Sequence, residues 1–439
     1  MPLVCLGLSH QTAPVDVRER HVFPASRMAE TLVALRDYEM VREAAMLATC
    51  GRIEIYAEVE EYESGVEQLK AFLKNFRHGD VQHDMSSYMY TLLGTQATDH
   101  LFRVATGLDS MLIGEAEILG QVKDAYIQAQ KARSLGKTLH ALFREALVAG
   151  KEARTRTHIG RNSVSVATAA VELAKQRFGS LAGKTVLVIG AGKMGTLAAK
   201  RLRGEGCAEL LIANRSHANA RSVVEAIGAG TAVEMPGLVA ALAQSDIVVT
   251  STGASHFVLG PGNVAEAMLA RPNRPLFIID IAVPRDADPE VARIPGVCVA
   301  DIDRLKDLVD LTLEGRRAEV PLVEEIVAEH TERFKRWYRS RAAVPVVSSL
   351  VQKAEAIRDA EIERLFARCP ELSERERMLI TGASLTIVSK MLHGIVTKLR
   401  NSAGSDREEA MSLATLLDEL FDLGTRGERL ALERRTPAE

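Results

Sequence analysis

The chain has 439 residues, of which 47% are hydrophobic and 26% are charged, and its mean hydropathy is +0.00. These values are typical of a soluble globular protein and exclude a fibrous repeat or a largely disordered chain. At roughly 100–200 residues per domain, the length indicates about three domains. The net charge of −3 is unlike that of basic nucleic-acid coat proteins, so we expect no DNA partner, and any RNA contact must come from a local basic face.

The cysteines and the first residues indicate the cellular compartment. Five cysteines are scattered without a Cys-x-x-Cys pair, which argues against a disulfide framework or a zinc site, and we predict no metal. Polar residues from Ser9 onward leave no apolar region of a signal peptide. The sequence contains no stretch of about 18 uncharged apolar residues, so we predict no membrane span. We therefore expect a cytoplasmic protein without a membrane partner.

Residues 1–157 mix short strands with helices, which predicts an α+β domain. Strands are predicted at 3–8, 43–49 and 53–59, and helices at 27–37, 65–76, 97–105 and 116–132. The segment 53–59 alternates polar and apolar residues, as a half-buried strand does. A cysteine, Cys50, stands at the end of the second strand.

Residues 158–305 alternate strands with helices, which predicts a doubly wound parallel sheet of the Rossmann type. A helix is predicted at 163–178, and strands at 185–189, 209–215, 246–251 and 276–281. The run 185–189 is apolar throughout, which is typical of a parallel strand buried on both faces.

Residues 306–439 show no strand pattern, which predicts an all-α domain. A long charged helix is predicted from 303 to 341, with a bend at Pro321. Further helices are predicted at 347–368, 372–400 and 406–422. Apolar residues four positions apart, such as Leu322 and Ile326, form stripes that need a partner. We therefore predict a homodimer held by these helices.

A G-x-G-x-x-G motif follows the strand 185–189 and opens a helix, which is the setting of a dinucleotide-binding loop. The end of the next strand lacks the Asp or Glu that binds the ribose of NAD. Instead, Arg215 and Ser216 could hold a 2′-phosphate, which favours NADPH; the alternative is that Arg215 is a solvated loop residue. The predicted cofactor-binding residues are Gly190, Ala191, Gly192, Lys193, Met194, Gly195, Asn214, Arg215 and Ser216.

Cys50 is the candidate nucleophile, because a strand-end thiol close to the cation Arg52 is expected to have a lowered pKa. The alternative is a small buried hydrophobic residue. A thiol beside a hydride donor suits the reduction of an activated acyl group, through a thioester to an aldehyde. His100 is the candidate general acid or base, and His10 is an equally visible alternative.

Basic residues crowd the end of the first segment. They are Arg144, Lys151, Arg154, Arg156 and Arg161. They predict either a phosphate-contacting face for RNA or an ordinary solvated helix face.

Together these motifs resemble those of the glutamyl-tRNA reductase family, over the whole chain. The resemblance rests on four segments: 7–14 together with Arg18 and Glu19, 48–56, 107–123 and 280–286. It implies a catalytic domain, an NADPH-binding domain and a helical dimerisation domain, joined by one long spinal helix in a V-shaped homodimer.

The resemblance also implies an activity, in which Cys50 attacks the ester of glutamyl-tRNA(Glu) and NADPH reduces the resulting thioester to glutamate-1-semialdehyde. This reaction opens the C5 route to 5-aminolevulinate and the tetrapyrroles. His100 is implied in catalysis, and a transient complex with glutamate-1-semialdehyde aminomutase is implied as well. The residues implied to hold the glutamyl group are Thr49, Gly51, Arg52, Ser110, Glu115, Ala116, Glu117 and Gln121.

Three departures from the family pattern are visible, and two other functions fit parts of the sequence. Gly51 stands where the family usually has Asn, and Glu117 where Gln is usual; His393 is followed by Gly394 and lacks the proline often seen after it. One alternative is an NADP-dependent dehydrogenase of a small metabolite, similar to shikimate dehydrogenase, which leaves Cys50 and the helical tail unexplained. The other is a non-catalytic tRNA-binding regulatory protein, which an unreactive Cys50 would support.

Overall fold

The computed structural model describes residues 2–75, 85–160, 165–309, 318–340, 344–405, 416–417 and 420–421. The chain divides into two compact units, residues 3–327 and residues 328–439 together with 1–2. Both sheets lie in the first of these units.

The first sheet is antiparallel, with the strand order β2-β3-β1-β4. Its strands are β1 (Leu3–Ser9), β2 (Val41–Ala48), β3 (Arg52–Val59) and β4 (Tyr90–Leu93). The first three confirm the predicted strands, whereas the four-residue β4 has too short a pattern to be detected. Ser9 pairs with Arg52, so the end of β1 lies beside the β2–β3 loop that contains Cys50.

Helices cover this sheet. They are α1 (Val15–Arg18), α2 (Met28–Leu35), α3 (Tyr62–Asn75), α4 (Gly94–Thr106), α5 (Ile118–Lys131) and α6 (Lys137–Arg156). The prediction that β3 is half-buried is wrong, because all its residues are buried. Its polar face lies beneath helices: the Thr138 hydroxyl at the start of α6 donates to Glu58 at 2.6 Å, and Phe143 meets the Tyr56 ring edge-on.

The second sheet is parallel and has the order β10-β9-β8-β5-β6-β7. Its strands are β5 (Thr185–Ile189), β6 (Glu209–Ala213), β7 (Thr231–Val233), β8 (Ile247–Thr250), β9 (Leu276–Asp280) and β10 (Val297–Ala300). This is the doubly wound order, and it confirms the predicted Rossmann-type domain. The order reverses between β5 and β8, where such sheets bind their ligands.

Helices pack on both faces of the parallel sheet. They are α7 (Val166–Phe178), α8 (Lys193–Gly204), α9 (His217–Ile227), α10 (Leu238–Gln244), α11 (Pro261–Leu269) and α12 (Ile302–Val309). The apolar cluster on one face also contains Val15, Met111 and Leu112 from the first domain, and Cys50 packs against it. The Cys50 loop therefore lies where the two domains share a core.

The remaining described elements are helical. They are α13 (Val320–Ser340), α14 (Val344–Arg368) and α15 (Glu374–Ser405). The prediction of one helix from 303 to 341 is wrong, since residues 318–319 form a turn between α12 and α13. Pro321 does not bend a helix; it lies in the first turn of α13, where its missing N–H costs no hydrogen bond. The helix predicted at 406–422 falls mostly outside the described residues.

Helix α15 is apolar and exposed. Ile387 and Met391 have 58% and 73% of their surface exposed. Within the described chain, the segment Glu374–Lys398 is the one helix long and apolar enough to cross a membrane by length and composition. It contains Lys390 and is therefore not an uncharged apolar stretch. An exposed apolar surface of this kind is typical of an interaction site.

Candidate active site

The thiol loop, residues 49–51 between β2 and β3, is held by its own threonine. The Thr49 hydroxyl accepts hydrogen bonds from the N–H groups of Gly51 and Arg52, at 3.1 and 3.2 Å. The backbone N–H of His10 donates to the Gly51 carbonyl at 2.8 Å. A Cβ built on Gly51 would have its nearest neighbours, His10 Nδ1 among them, at 3.9 Å. The loop therefore has room for a side chain at Gly51 and brings His10 close to Cys50.

The prediction that Arg52 lowers the pKa of the Cys50 thiol is wrong. Burial raises the pKa of this thiol to about 11, the charge of Glu115 raises it further, and Arg18 opposes the rise. Arg18 is also the residue whose guanidinium donates to the Cys50 carbonyl. The thiol is consequently protonated in the free protein at neutral pH.

Arg52 points away from the thiol, into a buried ion network beneath β3. Its Nη1 lies 2.5 Å from Glu54 Oε1, and its Nη2 donates to the Asp109 carbonyl. The hydroxyls of Tyr90 and Tyr56 donate to the two oxygens of Glu54 at 2.6 and 2.7 Å. Arg52 thus fixes the loop that carries Asp109 relative to the strand that follows Cys50.

His100 joins the same network. Its Nε2 lies 2.9 Å from Glu54 Oε1, and its Nδ1 lies 3.2 Å from Asp109 Oδ2. Burial alone would lower the pKa of His100, but Glu54 and Asp109 raise it to about 9. Both ring nitrogens face carboxylates, so a charged imidazolium suits the site, and this arrangement favours positioning over proton transfer.

Cys5, Glu54 and His100 have ligand atoms within 4.8 Å of one another, which is the spacing of a metal site. The Arg52 guanidinium and two tyrosine hydroxyls already bind the oxygens of Glu54. A metal ion would displace them and face the charge of Arg52. We therefore assign no metal to this cluster.

The segment 107–121 forms the next wall of the site. Gly107 and Gly114 have φ angles of 87° and 76°, and the Gly114 N–H donates to the Gly107 carbonyl at 2.9 Å, which closes a tight loop. Within it, the Ser110 hydroxyl is buried without a hydrogen-bond partner. An unsatisfied buried hydroxyl is costly, so a ligand that bonds to it gains affinity.

Two acidic side chains, Glu115 and Glu117, follow in this wall. Burial raises the pKa of Glu115 to about 7, and the charge of Glu117 adds to the rise. Glu117 also lies 3.1 Å from Lys193, which belongs to the glycine-rich loop, residues 190–195. The negative potential of this wall favours a cationic ligand.

The glycine-rich loop has the geometry that a dinucleotide requires. Gly190 has a φ angle of 112°, and a Cβ on Gly195 would lie 2.0 Å from the Gly190 carbonyl oxygen. A Cβ on Gly192 would meet open space, which is the room that a pyrophosphate needs at the N-terminus of α8. The residues present therefore fit a dinucleotide.

Two residues at the end of β6, Asn214 and Arg215, have different surroundings. Asn214 Oδ1 accepts from the Ala191 N–H at 3.3 Å, and its Nδ2 donates to the Ser216 carbonyl. Asn214 therefore supports the glycine-rich loop, while Arg215 is exposed and free to reach a ligand phosphate.

A cavity of about 300 Å³ lies between the two domains, beside the glycine-rich loop. It is lined by Ala116, Glu117, Gly120, Ser165, Thr168, Lys193, Leu197 and Arg201. Of the predicted substrate residues, it brings Ala116 and Glu117 next to the predicted cofactor residue Lys193. Gln121 lies on α5 in the following turn and is half-buried.

The predicted basic face is smaller than the sequence indicates. Arg154 turns inward, and its guanidinium donates to the carbonyls of Ala105, Gly150 and Glu115. Arg144 and Lys151 are exposed on α6, whereas Arg156 pairs with Glu152 at 2.7 Å. Arg161 lies outside the described residues. The prediction that Arg154 belongs to a basic surface is wrong, because packing turns its guanidinium toward buried carbonyls.

The doubly wound sheet, with a glycine-rich loop at its point of strand reversal, defines a dinucleotide-binding domain. Family models match three successive segments. They are "Glutamyl-tRNAGlu reductase, N-terminal domain" at 6–157, "Shikimate / quinate 5-dehydrogenase" at 172–308, and "Glutamyl-tRNAGlu reductase, dimerisation domain" at 322–423. The chain belongs to the glutamyl-tRNA reductase family.

Full-length relatives agree. The chain is 42% identical to glutamyl-tRNA reductase of Moorella thermoacetica, over 96% of this chain and 95% of the relative. It is 38% identical to that of Bacillus subtilis, over 96% and 92%. The solved glutamyl-tRNA reductase of Methanopyrus kandleri is 32% identical, with a TM-score of 0.51 over 96% of this chain and 99% of that one. A dehydrogenase of a small metabolite is therefore not favoured, since the shikimate dehydrogenase model matches the middle segment alone.

Proposed function

We propose that this enzyme reduces glutamyl-tRNA(Glu) to glutamate-1-semialdehyde with NADPH and releases tRNA(Glu), as the first step of the C5 route to 5-aminolevulinate and tetrapyrroles. One observation carries the proposal: Cys50 packs against the core that contains the cofactor-binding sheet. A thiol beside a hydride donor suits the conversion of an activated ester to an aldehyde.

In the first step, Cys50 Sγ attacks the carbonyl carbon of the glutamyl ester. The C–O bond to the tRNA ribose breaks, the leaving oxygen takes the proton that the Cys50 thiol gives up, and a thioester remains on the protein. His10, whose backbone N–H donates to the Gly51 carbonyl, lies at the thiol loop, and its imidazole is the candidate proton donor. His100 serves instead as a positioning residue, through Glu54 and Asp109.

The raised pKa of Cys50 assigns a role to the substrate. Glu115 and Glu117 both raise the pKa of this thiol, and an ammonium group bound beside them offsets their charge. The α-ammonium of the glutamyl group has this chemistry. Substrate binding therefore favours the thiolate that attacks, while the thiol is protected as the neutral form before binding.

The same wall recognises the glutamyl group. The buried Ser110 hydroxyl, which lacks a partner, supplies a hydrogen bond, and the two glutamates face the ammonium. Thr49 and Arg52 act by holding the thiol loop and its neighbour. Gly51, Ala116 and Gln121 complete the predicted binding surface.

NADPH is the cofactor we propose, because Arg215 is exposed at the end of β6, where no acidic residue stands. The Gly190–Gly195 loop would hold the pyrophosphate, and Arg215 and Ser216 would hold the 2′-phosphate. When bound, the cofactor supplies the hydride that brings the thioester carbonyl to the level of an aldehyde. Cys50 Sγ then leaves with the electron pair of the C–S bond, which regenerates the thiolate.

The assembly follows from the third domain. The exposed apolar side chains of α15 lie inside the match to the dimerisation domain, so we propose that a second copy covers them in a homodimer. We also propose a cytoplasmic location, where charged tRNA is available. A transient complex with the aminomutase that consumes the aldehyde is proposed on the reactivity of that product.

The test is anaerobic incubation with glutamyl-tRNA(Glu) and NADPH, followed by trapping of the aldehyde. We expect trapped glutamate-1-semialdehyde, and its loss when the tRNA is digested with ribonuclease beforehand. A protein that binds the tRNA without forming aldehyde would instead be the non-catalytic regulatory alternative.

A further inference from the structure

Two consecutive residues of the first domain, Arg18 and Glu19, form ion pairs with the cofactor domain. Arg18 ends α1 and binds Asp303 at the start of α12. Glu19 binds Arg285, in the loop that follows β9. These contacts hold the two domains together at two adjacent points.

The Glu19–Arg285 pair has a fixed geometry. Glu19 Oε1 accepts from Arg285 Nη2 at 2.6 Å, and Oε2 accepts from both Nε and the backbone N–H of Arg285 at 3.0 Å. The side chains are only 11% and 18% exposed. A two-oxygen fork of this kind fixes direction as well as distance.

The Arg18 guanidinium connects three parts of the chain. It donates through Nε to the Ala13 carbonyl at 3.1 Å, through Nη1 to the Cys50 carbonyl and through Nη2 to Asp303. The second oxygen of Asp303 accepts from the Val15 N–H at 2.8 Å. One buried side chain thus links the thiol loop directly to the cofactor domain.

We propose that Arg18 and Glu19 are positioning residues that hold the thiol loop against the cofactor domain, so that the acyl group on Cys50 stays within reach of the hydride donor. The inference rests on the proposed function. Hydride transfer requires reacting atoms at about 3–3.5 Å, and a displacement of about 1 Å costs up to about 100-fold in rate. The first domain contributes a positive and then a negative side chain, Arg18 and Glu19, and the cofactor domain contributes the opposite charges. If one domain slid along the other so that Arg18 approached Arg285, two positive charges would meet.

The test separates acylation from reduction in the full-length enzyme. Acyl-Cys50 is formed with glutamyl-tRNA in the absence of NADPH and quantified by mass spectrometry, and NADPH is then added to time the appearance of aldehyde. In Glu19→Arg and in Arg285→Glu we expect near-normal acylation, with reduction of the thioester slowed about tenfold or more. The double variant Glu19→Arg/Arg285→Glu restores the pair and should recover most of the rate.

A matched control is Arg293→Glu, which reverses an exposed arginine of the same domain that pairs with Glu290 and should leave both steps unchanged. Reduction at the wild-type rate in both single variants would overturn the positioning role. So would equal losses of acylation and reduction that the double variant does not restore, because a purely structural contact behaves in that way. Absence of acyl-Cys50 in the wild-type enzyme would instead overturn the proposed function, and the positioning role with it.

Discussion

His100 Nε2 lies 2.9 Å from Glu54 Oε1, in a network that is buried beneath the strand following Cys50. Burial alone would lower the pKa of His100, yet Glu54 and Asp109 raise it from 6.5 to about 9. A raised pKa in the folded state means that the protonated ring stabilises the fold. That contribution is complete below about pH 6.5 and is lost as the pH rises to about 9.

The first prediction concerns this pH dependence. Between about pH 6.5 and 9, the free energy of unfolding of the wild-type protein should fall more steeply than that of His100→Gln, which has no charge to lose. Denaturant unfolding at several pH values measures the free energy of unfolding of both proteins. The difference between the two values removes the contribution of the other groups that titrate in this range. Parallel pH profiles for the two proteins would show that His100 is neutral in the fold.

The second prediction concerns the reactivity of the thiol. Because the pKa of Cys50 is about 11, alkylation of the free enzyme by iodoacetamide should accelerate by roughly tenfold per pH unit below that value. At about pH 8.5, where Glu115 with its pKa of about 7 is ionised, Glu115→Gln should accelerate alkylation. Arg18→Gln should slow alkylation, because this substitution removes the positive charge that lowers the pKa of Cys50. Mass spectrometry of the Cys50 peptide measures both, and changes of the same sign would be inconsistent with the charges assigned to the site.

The third prediction concerns cofactor choice. Arg215→Asp should weaken NADPH binding by about tenfold or more, the loss expected for one charge-assisted hydrogen bond, and should change NADH binding little. Asn214→Ala is the control, because Asn214 supports the glycine-rich loop and its loss should weaken both cofactors. Fluorescence titration of the wild-type protein and both variants with each cofactor measures the six affinities. Equal losses for both cofactors in Arg215→Asp would mean that this residue does not touch the 2′-phosphate.

The fourth prediction concerns the tRNA. Arg144 and Lys151 are exposed on α6 and lie seven residues apart, which is about two turns along one face. Reversing both charges should raise KM for glutamyl-tRNA and reduce the slope of log KM against log salt by about 1–2. A small glutamyl ester that acylates Cys50 should be little affected, and Arg293→Glu again serves as the control. An unchanged salt slope would place the tRNA face elsewhere.

The fold was predictable where the signal is local. The run 185–189 followed by Gly190, Gly192 and Gly195 specifies a strand, a turn and a helix within a dozen residues, and the structure confirms all three. The position of the thiol loop was predictable for the same reason, because Cys50 directly follows an apolar segment that forms a strand. Short elements such as β4 lack enough residues for a period to be recognised.

The charges of the site were less predictable because their partners are distant in sequence. Arg52 pairs with Asp109, which is 57 positions away, and Arg18 pairs with Asp303, which is 285 positions away. One signal was present: Arg52, Glu54 and Tyr56 recur at every second position of a strand, so they share one face. Only the helices that cover this face turn those residues from a solvated row into a buried network.

The most direct test of the thioester mechanism is the mass of the enzyme after reaction with glutamyl-tRNA(Glu) in the absence of NADPH. The wild-type protein should gain one glutamyl group on Cys50, release it as aldehyde when NADPH is added, and lose it to hydroxylamine. Cys50→Ser should form no thioester and no aldehyde, while binding NADPH normally because the glycine-rich loop is intact. Aldehyde formation by Cys50→Ser at the wild-type rate, or a glutamyl group found on another residue, would contradict the assignment of Cys50 as the nucleophile.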